Sequence, residues 1–205
     1  LDHALGSEEP SKRRAAFVEL AGSEHWRLVL APHVISCQGY RVGDAMYPDL
    51  QTFAQAARVI AGDDDRVQRC LELAGSRFSG ALLTALARQM KGALVEPALA
   101  HLRTAEGVRS SLLQRVLQEA TPAWVDDPLA APVIKRQLRV QDHSRVELMQ
   151  WLAEAGRLDR YAAELREFPP ASLEEWSALG KGQVADEQLF ELAMATLPHA
   201  PAPIL

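Results

Sequence analysis

The sequence predicts an all-α fold, a compact bundle of about ten short helices with short connections and an irregular loop near residues 32–48. The main observation is a series of short amphipathic segments between Pro48 and Ala120, each ended by Gly or Pro and restarted by an acidic or hydroxyl residue. Ala and Leu also dominate over β-branched and aromatic residues, which favours helix over strand. Because 48% of the residues are apolar, a sizeable core can form without metals or disulfides.

The N-terminal region contains one expected helix and the least helical part of the chain. The helix runs from Ser11, its expected cap, to Ala21. The region His33–Tyr47 contains glycines and is predicted to be a loop, with a two-stranded pairing at Arg27–Leu30 or Val34–Cys37.

The central series is expected to form scaffold helices. In the first of them, Phe53, Ala56 and Ile60 share one face at helical spacing. Gly62 and Gly75 are expected helix stops. The expected helices cover Asp49–Ala61, Asp65–Ala74, Ser76–Lys91, Pro97–Ala105 and Val108–Ala120.

A Pro-rich crossover at 121–132, with Trp124 buried in it, is predicted to join two helical subgroups, 11–120 and 129–197, of a single domain over residues 1–205. Residues 198–205 form a Pro-rich tail. The helices expected after the crossover are Pro132–Val140, Ser144–Ala155, Leu158–Phe168, a helix capped by Ser172 and Glu175, and Asp186–Leu197.

The charge and cysteine content exclude several classes of protein. A net charge of -5 argues against a nucleic-acid binder, which neutralises phosphates with Lys and Arg. With only two cysteines the chain does not resemble a secreted disulfide framework. No run of about 18 apolar residues is present, so no membrane insertion is expected. These features predict a cytoplasmic protein.

Metal and cofactor sites are not predicted. His33 and Cys37 are half of a possible zinc site, but a structural zinc needs four ligands, and Cys70, His101 and His143 are each solitary in sequence. A buried free cysteine and a loop histidine are the simpler interpretation. The triplet Asp63–Asp65 is more typical of helix capping than of a cation loop.

Catalytic motifs are also absent from the sequence. The segment Gly75–Gly80 lacks the Lys of a phosphate loop, so it is interpreted as a helix stop followed by a cap. The acidic pairs Asp126-Asp127 and Glu174-Glu175 are interpreted as caps or solvated residues. An enzyme remains the less favoured alternative. It would require a pocket between helices that holds at least two of these residues: His33, Cys37, His101, His143 and the two acidic pairs.

The residues available for a partner form two groups, although solvated helix faces are the simpler interpretation of each charge cluster. One is a basic stripe beyond the crossover, to which Arg145 could also belong, and the other lies in the loop near residues 32–48. The candidate partner-binding residues are Lys135, Arg136, Arg139, Trp124, Tyr40 and Arg41.

The order of features resembles the accessory subunits of the cytoplasmic sorting platform of bacterial type III secretion. The residues that carry the resemblance lie between 48 and 197, and they are Leu50–Ala61, Arg66–Leu71, Ala81–Leu86, Pro122-Ala123-Trp124, Pro128-Leu129 and Trp151–Ala153 before a terminal amphipathic helix. The resemblance implies a non-enzymatic adaptor that docks on larger assembly proteins. A helical effector, immunity or regulatory protein that binds one partner is the alternative.

Overall fold

The computed structural model describes residues 9–42, 45–72, 77–140, 143–180 and 194. Helices account for 78% of these residues, and the regular strands among them are two segments of four residues each. The fold is therefore all-α, as the composition and the amphipathic segments predict.

The chain divides into two compact units. Unit 1 comprises residues 1–101 and 115–120, and unit 2 comprises residues 102–114 and 121–205. The longer stretch of unit 2 begins where the crossover is expected. The expected subgroups 11–120 and 129–197 differ from this division because they place residues 102–114 in the first group.

Unit 1 is built on helix α3, which packs against α1 and α5. Its apolar face is fully buried at Phe53, Ala56 and Ile60, which confirms the predicted register. Phe17 of α1 meets Phe53 edge-on, with ring centroids 5.8 Å apart. The helices described up to residue 102 are α1 (Pro10–Gly22), α2 (Pro32–Ser36), α3 (Leu50–Ile60), α4 (Asp64–Glu72), α5 (Arg77–Met90) and α6 (Val95–Leu102).

The two strands of unit 1 lie later in the chain than predicted. Segment Trp26–Leu30 is a 3-10 helix, and Pro32 begins α2, so neither Arg27–Leu30 nor Val34–Cys37 is a strand. Proline at the first helical position is pre-organised for a helix, which accounts for the error at α2. The antiparallel hairpin instead joins β1 (Gly39–Val42) to β2 (Ala45–Pro48).

Unit 2 is organised around helix α9, which packs against α8 and α11. Trp124 is 1% exposed, as the crossover prediction requires. The elements of unit 2 are residues 107–114 of α7 (Gly107–Ala120), α8 (Ala130–Leu138), α9 (His143–Glu154), α10 (Ala162–Glu167) and α11 (Leu173–Gly180), with 3-10 helices at Pro122–Asp126 and Leu158–Tyr161.

A buried ion pair links α9 to α11. Arg145 Nη1 lies 3.3 Å from Glu175 Oε1, and the two side chains are 0% and 6% exposed. Arg145 Nη2 donates to the carbonyl of Phe168. The approach to Glu175 is off the hydrogen-bond direction, so Nε and Nη1 of Arg145 have no hydrogen-bond acceptor among the described residues. Arg145 was predicted to be a candidate for an exposed basic stripe, and its burial corrects that expectation.

Several expectations fall on parts of the chain outside the described residues. They include the cap at Ser76 and the helix Asp186–Leu197, of which Met194 alone is described, as an exposed helical residue. The Pro-rich tail at 198–205 also lies outside them.

Candidate functional site

An exposed apolar surface lies on the hairpin of unit 1. Tyr40 pairs with Tyr47 and Val42 pairs with Ala45 across the strands, so Tyr40, Val42 and Tyr47 share one face. They are 53%, 59% and 41% exposed, and Leu50, at the start of α3, is 59% exposed. We refer to Tyr40, Val42, Tyr47 and Leu50 as the hairpin surface.

The two tyrosines stack on each other without becoming buried. Their ring centroids are 5.9 Å apart and the ring planes are inclined by 26°. A cross-strand aromatic pair contributes roughly 0.2–1 kcal/mol, and a two-stranded hairpin is marginal by itself in water. An apolar face left in water on such an element is typical of a surface that contacts a partner.

The base of the hairpin is anchored to the helices. Gln38 is buried, and its side-chain amide donates to the Val34 carbonyl at 3.2 Å. The Gln38 carbonyl accepts the Asp49 N–H at 2.8 Å. Arg41 and Val42, in contrast, are exposed. The hairpin is therefore held at α2 and α3, while the end that carries Arg41 and Val42 faces water.

Asp49 fixes the start of α3 beside the hairpin. Its carboxylate accepts the N–H groups of Gln51 and Thr52 at 3.1 and 3.3 Å. Burial acts to raise the pKa of Asp49, but the Thr52 hydroxyl at 2.8 Å and the Arg14 guanidinium at 3.1 Å outweigh it, so the pKa lies below its usual value. The helix N-terminus is consequently satisfied within the chain.

A second feature of unit 1 is an open, charged groove of about 580 Å³. Among its lining residues, the guanidinium groups of Arg27 and Arg66 lie 6.0 and 5.7 Å from the centroid of the Trp26 ring. The residues that line the groove are Glu24, Trp26, Arg27, Asp63, Asp65, Arg66, Gln68, Arg69 and Glu72.

The charges of this groove are largely engaged with one another. Arg66 Nε lies 3.1 Å from Asp63 Oδ2, and Arg69 Nη1 donates to Glu72 Oε2 at 2.5 Å. Arg66 also donates to the Ala21 carbonyl at 2.5 Å. Each of these two ion pairs joins residues one helical turn apart, one pair at the start and the other at the end of α4. The four side chains are therefore engaged with each other and are not available as a general acid and base for a substrate.

The residues considered for an enzyme site do not meet in this groove. His33, Cys37 and His101 are not among its lining residues. His101 is nevertheless close to the groove, because its Nε2 lies 2.8 Å from Oε1 of Gln68, which is a lining residue. Burial raises the pKa of the Cys70 thiol to about 12, so it is not a nucleophile. Within the described part of the chain, no group of three His, Cys, Asp or Glu residues could hold a metal ion.

The acidic pairs have structural contacts in unit 2. Asp126 contacts Arg157 at 2.6 Å and Arg160 at 2.8 Å, and hydrogen bonding from Arg157 lowers the pKa of Asp126. Asp127 Oδ1 accepts the Leu129 N–H at 2.8 Å. Glu175 belongs to the buried ion pair. These roles agree with the interpretation of Asp126-Asp127 as capping or solvated residues.

The basic candidates of unit 2 are engaged within that unit. Lys135 Nζ lies 3.0 Å from Glu164, and Arg139 lies 3.8 Å from Glu167 and over the Phe168 ring at 5.6 Å. Arg136 Nη2 donates to the Ala105 carbonyl at 2.5 Å. Trp124 is buried, so it offers no accessible surface. Of the candidate partner residues, Tyr40 and Arg41 therefore lie on the exposed hairpin, whereas the basic side chains already contact groups of unit 2.

No protein-family model matches the chain, and no curated protein or solved structure is significantly similar to it. None of the described helices combines the length and apolar character needed to cross a bilayer.

Proposed function

We propose that this chain is a non-enzymatic adaptor that acts through protein–protein contacts at the hairpin surface. The observation that carries the proposal is the half-exposed Tyr40–Tyr47 stack, with Val42 and Leu50 exposed beside it in the chain. Tyrosine contributes a large contact area for little conformational entropy, which is why it is enriched where partners bind.

The chemistry of the charged groove supports an adaptor over an enzyme. Two of its arginines, Arg66 and Arg69, are paired with Asp63 and Glu72, and His33, Cys37, Cys70 and His101 do not line it. Catalysis by acid and base would need side chains free to exchange protons with a substrate.

The larger assembly follows from the resemblance described above. We propose a cytoplasmic accessory role in bacterial type III secretion, in which the chain links larger subunits. The support is the order of the sequence features named above between residues 48 and 197. The alternative is a helical effector, immunity or regulatory protein, which would bind a single partner through the same surface.

The proposal is tested by site-specific photo-crosslinking in the cell of origin. A crosslinking amino acid at Tyr40 should capture a defined protein, whereas the same group at Val108, which is 75% exposed in unit 2, should not. Mass spectrometry of the adducts then separates the alternatives. Subunits of a secretion ring or platform would support the larger assembly, and one unrelated protein would support the single-partner alternative.

A matched pair of variants completes the test. Tyr40→Ser with Tyr47→Ser should abolish the adduct formed through a crosslinker at Leu50, while Val108→Ser should leave it unchanged. Both variants alter exposed side chains, so unfolding free energies should change by about 0.5–1 kcal/mol at most. Crosslinking of equal strength from Tyr40 and Val108, or none from Tyr40, would contradict the adaptor proposal.

A further inference from the structure

The outer edge of β1 presents backbone groups of Arg41 that do not pair with β2. The Asp49 N–H donates to the Gln38 carbonyl at 2.8 Å, which makes residues 38 and 49 a hydrogen-bonded pair in the hairpin register. Such pairs alternate in an antiparallel ladder. Tyr40–Tyr47 and Val42–Ala45 are therefore hydrogen-bonded pairs, and the N–H and C=O groups of Arg41 point away from β2.

The two edges of the hairpin differ in what they offer. On β2, the backbone of Pro48 faces outward, away from β1. Because proline has no N–H to donate, it hinders the addition of another strand along that edge. On β1, Arg41 is exposed, and its backbone groups have no partner among the described residues. Gly39, the other outward-facing residue of β1, is buried. The accessible part of the edge is thus centred on Arg41.

We infer that the β1 edge receives a short extended segment of a partner protein, in which an acidic residue is flanked by apolar residues. This inference rests on the adaptor proposed above and specifies its partner. Backbone groups of the segment pair with Arg41, as in strand addition to a sheet edge. Its apolar side chains lie against Tyr40 and Val42, and its acidic side chain lies opposite Arg41 on the other face.

The positive charge of Arg41 is the reason to expect an acidic residue in the partner segment. Arg14, Arg66 and Arg69 of the same unit each contact a carboxylate within 3.1 Å. Arg41 has no such contact in the described part of unit 1. A carboxylate opposite Arg41 would neutralise its charge, as the carboxylates of Asp49, Asp63 and Glu72 do for those three arginines. A second copy of the chain pairing through the same strand would instead bring the two Arg41 side chains within one or two residues of each other, which is unfavourable.

The test uses a synthetic peptide, acetyl-Thr-Ile-Glu-Ile-Thr-amide, and its counterpart with Lys in place of Glu. Two-dimensional amide NMR of the full chain should show shifts confined to residues 39–42 and neighbouring hairpin amides. The Glu peptide should bind roughly threefold more tightly than the Lys peptide, and Arg41→Glu should reverse that preference.

Two variants at one position separate backbone pairing from charge. Arg41→Pro removes the outward N–H without touching a hydrogen bond to β2, and it should weaken binding of the Glu peptide roughly fivefold or more. Arg41→Gln keeps the N–H and should lose only the preference for Glu over Lys. The hairpin shifts of the free variants report whether the strands remain paired.

Three outcomes would overturn the inference: no hairpin shifts with either peptide, shifts that ignore peptide charge, or concentration-dependent shifts of the chain alone that indicate self-association. If crosslinking at Tyr40 captures a partner while the peptides fail, the adaptor proposal stands and strand addition falls. If the peptides bind as described but Tyr40 captures nothing in the cell, the adaptor proposal falls.

Discussion

Unit 1 and unit 2 bury different kinds of side chains. In the described residues the buried polar side chains of unit 1 are Gln38, Thr52 and Ser79. Those of unit 2 are Ser110, Gln114, Gln137, Ser144, Arg145, Glu164 and Glu175, and they include every buried charge in the described residues. The core of unit 1 is stabilised mainly by the packing of apolar side chains. The core of unit 2 also contains polar and charged side chains, which require hydrogen-bond or ion-pair partners.

The polar cluster between α7 and α8 illustrates the difference. Ser110 Oγ donates to Gln137 Oε1 at 2.9 Å, and Gln114 Nε2 donates to Ser110 Oγ at 3.2 Å. Gln114 Oε1 and Gln137 Nε2 remain without a hydrogen bond among the described residues. A buried polar group left unsatisfied costs about 1–3 kcal/mol. Unit 2 therefore contains interactions that specify its packing more than they stabilise it.

The largest effect in this comparison is expected at the buried ion pair of unit 2. Glu175→Ala should lower the free energy of unfolding by about 3–5 kcal/mol, because Arg145 is then buried without its counter-charge. Urea denaturation followed by circular dichroism measures the loss. Glu174→Ala, an exposed change in the same helix, should stay within about 0.5 kcal/mol of the unaltered protein.

The double variant Arg145→Met with Glu175→Leu sharpens the same point. Replacing both charges by apolar groups of similar volume should recover most of the stability that Glu175→Ala loses. If Glu175→Ala and Glu174→Ala are equally mild, or if the double variant is worse than the single one, unit 2 does not depend on this pair.

In unit 1 the corresponding polar contact, between Arg14 and Asp49, is only partly buried, so a smaller and pH-dependent effect is expected. Asp49→Ala removes the cap of α3 and should cost about 1–2 kcal/mol at neutral pH. The pKa of Asp49 is lowered in the folded chain, so its contribution is present above the unfolded pKa and is lost as the pH falls through the lower folded pKa. The stability difference between Asp49→Ala and the unaltered chain should therefore begin to shrink below about pH 4 and vanish only below the folded pKa of Asp49.

Asp49→Asn is the matched control because it retains a side-chain oxygen that can cap α3 but loses the charge next to Arg14. It should be destabilised by less than Asp49→Ala. A stability difference between Asp49→Ala and the unaltered chain that does not vary with pH would argue against an ionised cap.

The smallest changes in stability are expected at two residues with a left-handed backbone conformation, one in each unit. Gly156 (φ +64°) follows α9, and its N–H and that of Arg157 donate to the carbonyls of Ala153 and Leu152 at 3.0 and 2.8 Å. A Cβ there would meet no atom within 4 Å, so Gly156→Ala should cost about 1–2 kcal/mol through the backbone alone.

Lys91 (φ +51°) adopts the same left-handed conformation after α5 without being glycine. Lys91→Gly should therefore raise the free energy of unfolding by about 0.5–1 kcal/mol, after the entropy of the added glycine is subtracted. Thermal unfolding of the two variants side by side checks both signs. A Lys91→Gly protein that is less stable than the unaltered chain would mean that the lysine side chain has a stabilising contact.

Local signals predicted much of the fold. The 3.6-residue periodicity identified the buried face of α3, and the expected helix end at Ala155 lies one residue beyond the observed end of α9 at Glu154. The Ser172–Glu175 cap is also confirmed, since the Glu175 N–H donates to Ser172 Oγ at 3.2 Å. Its second half differs because the Glu175 carboxylate accepts from the Ala171 N–H at 2.6 Å. The apolar pattern and the capping chemistry each act within one or two turns, so sequence reveals them.

The hairpin and the buried ion pair were missed for different reasons. The hairpin has a local signal, the two-residue connection Gly43-Asp44 between segments that contain Tyr40 and Tyr47, but glycines in this region also predict a loop. Arg145 and Glu175 are thirty positions apart, and nothing in either neighbourhood indicates that packing of α9 on α11 removes both from water. The role of the hairpin as a partner surface stays a prediction.

The two cysteines have a consequence for measuring unit 1 alone. Cys37 is exposed and Cys70 is buried, and unit 2 has no cysteine. A thiol-specific reagent should label Cys37 in the folded chain and should reach Cys70 only when the structure around it opens. The rate at which the second label is incorporated therefore reports the opening of unit 1, free of any signal from unit 2.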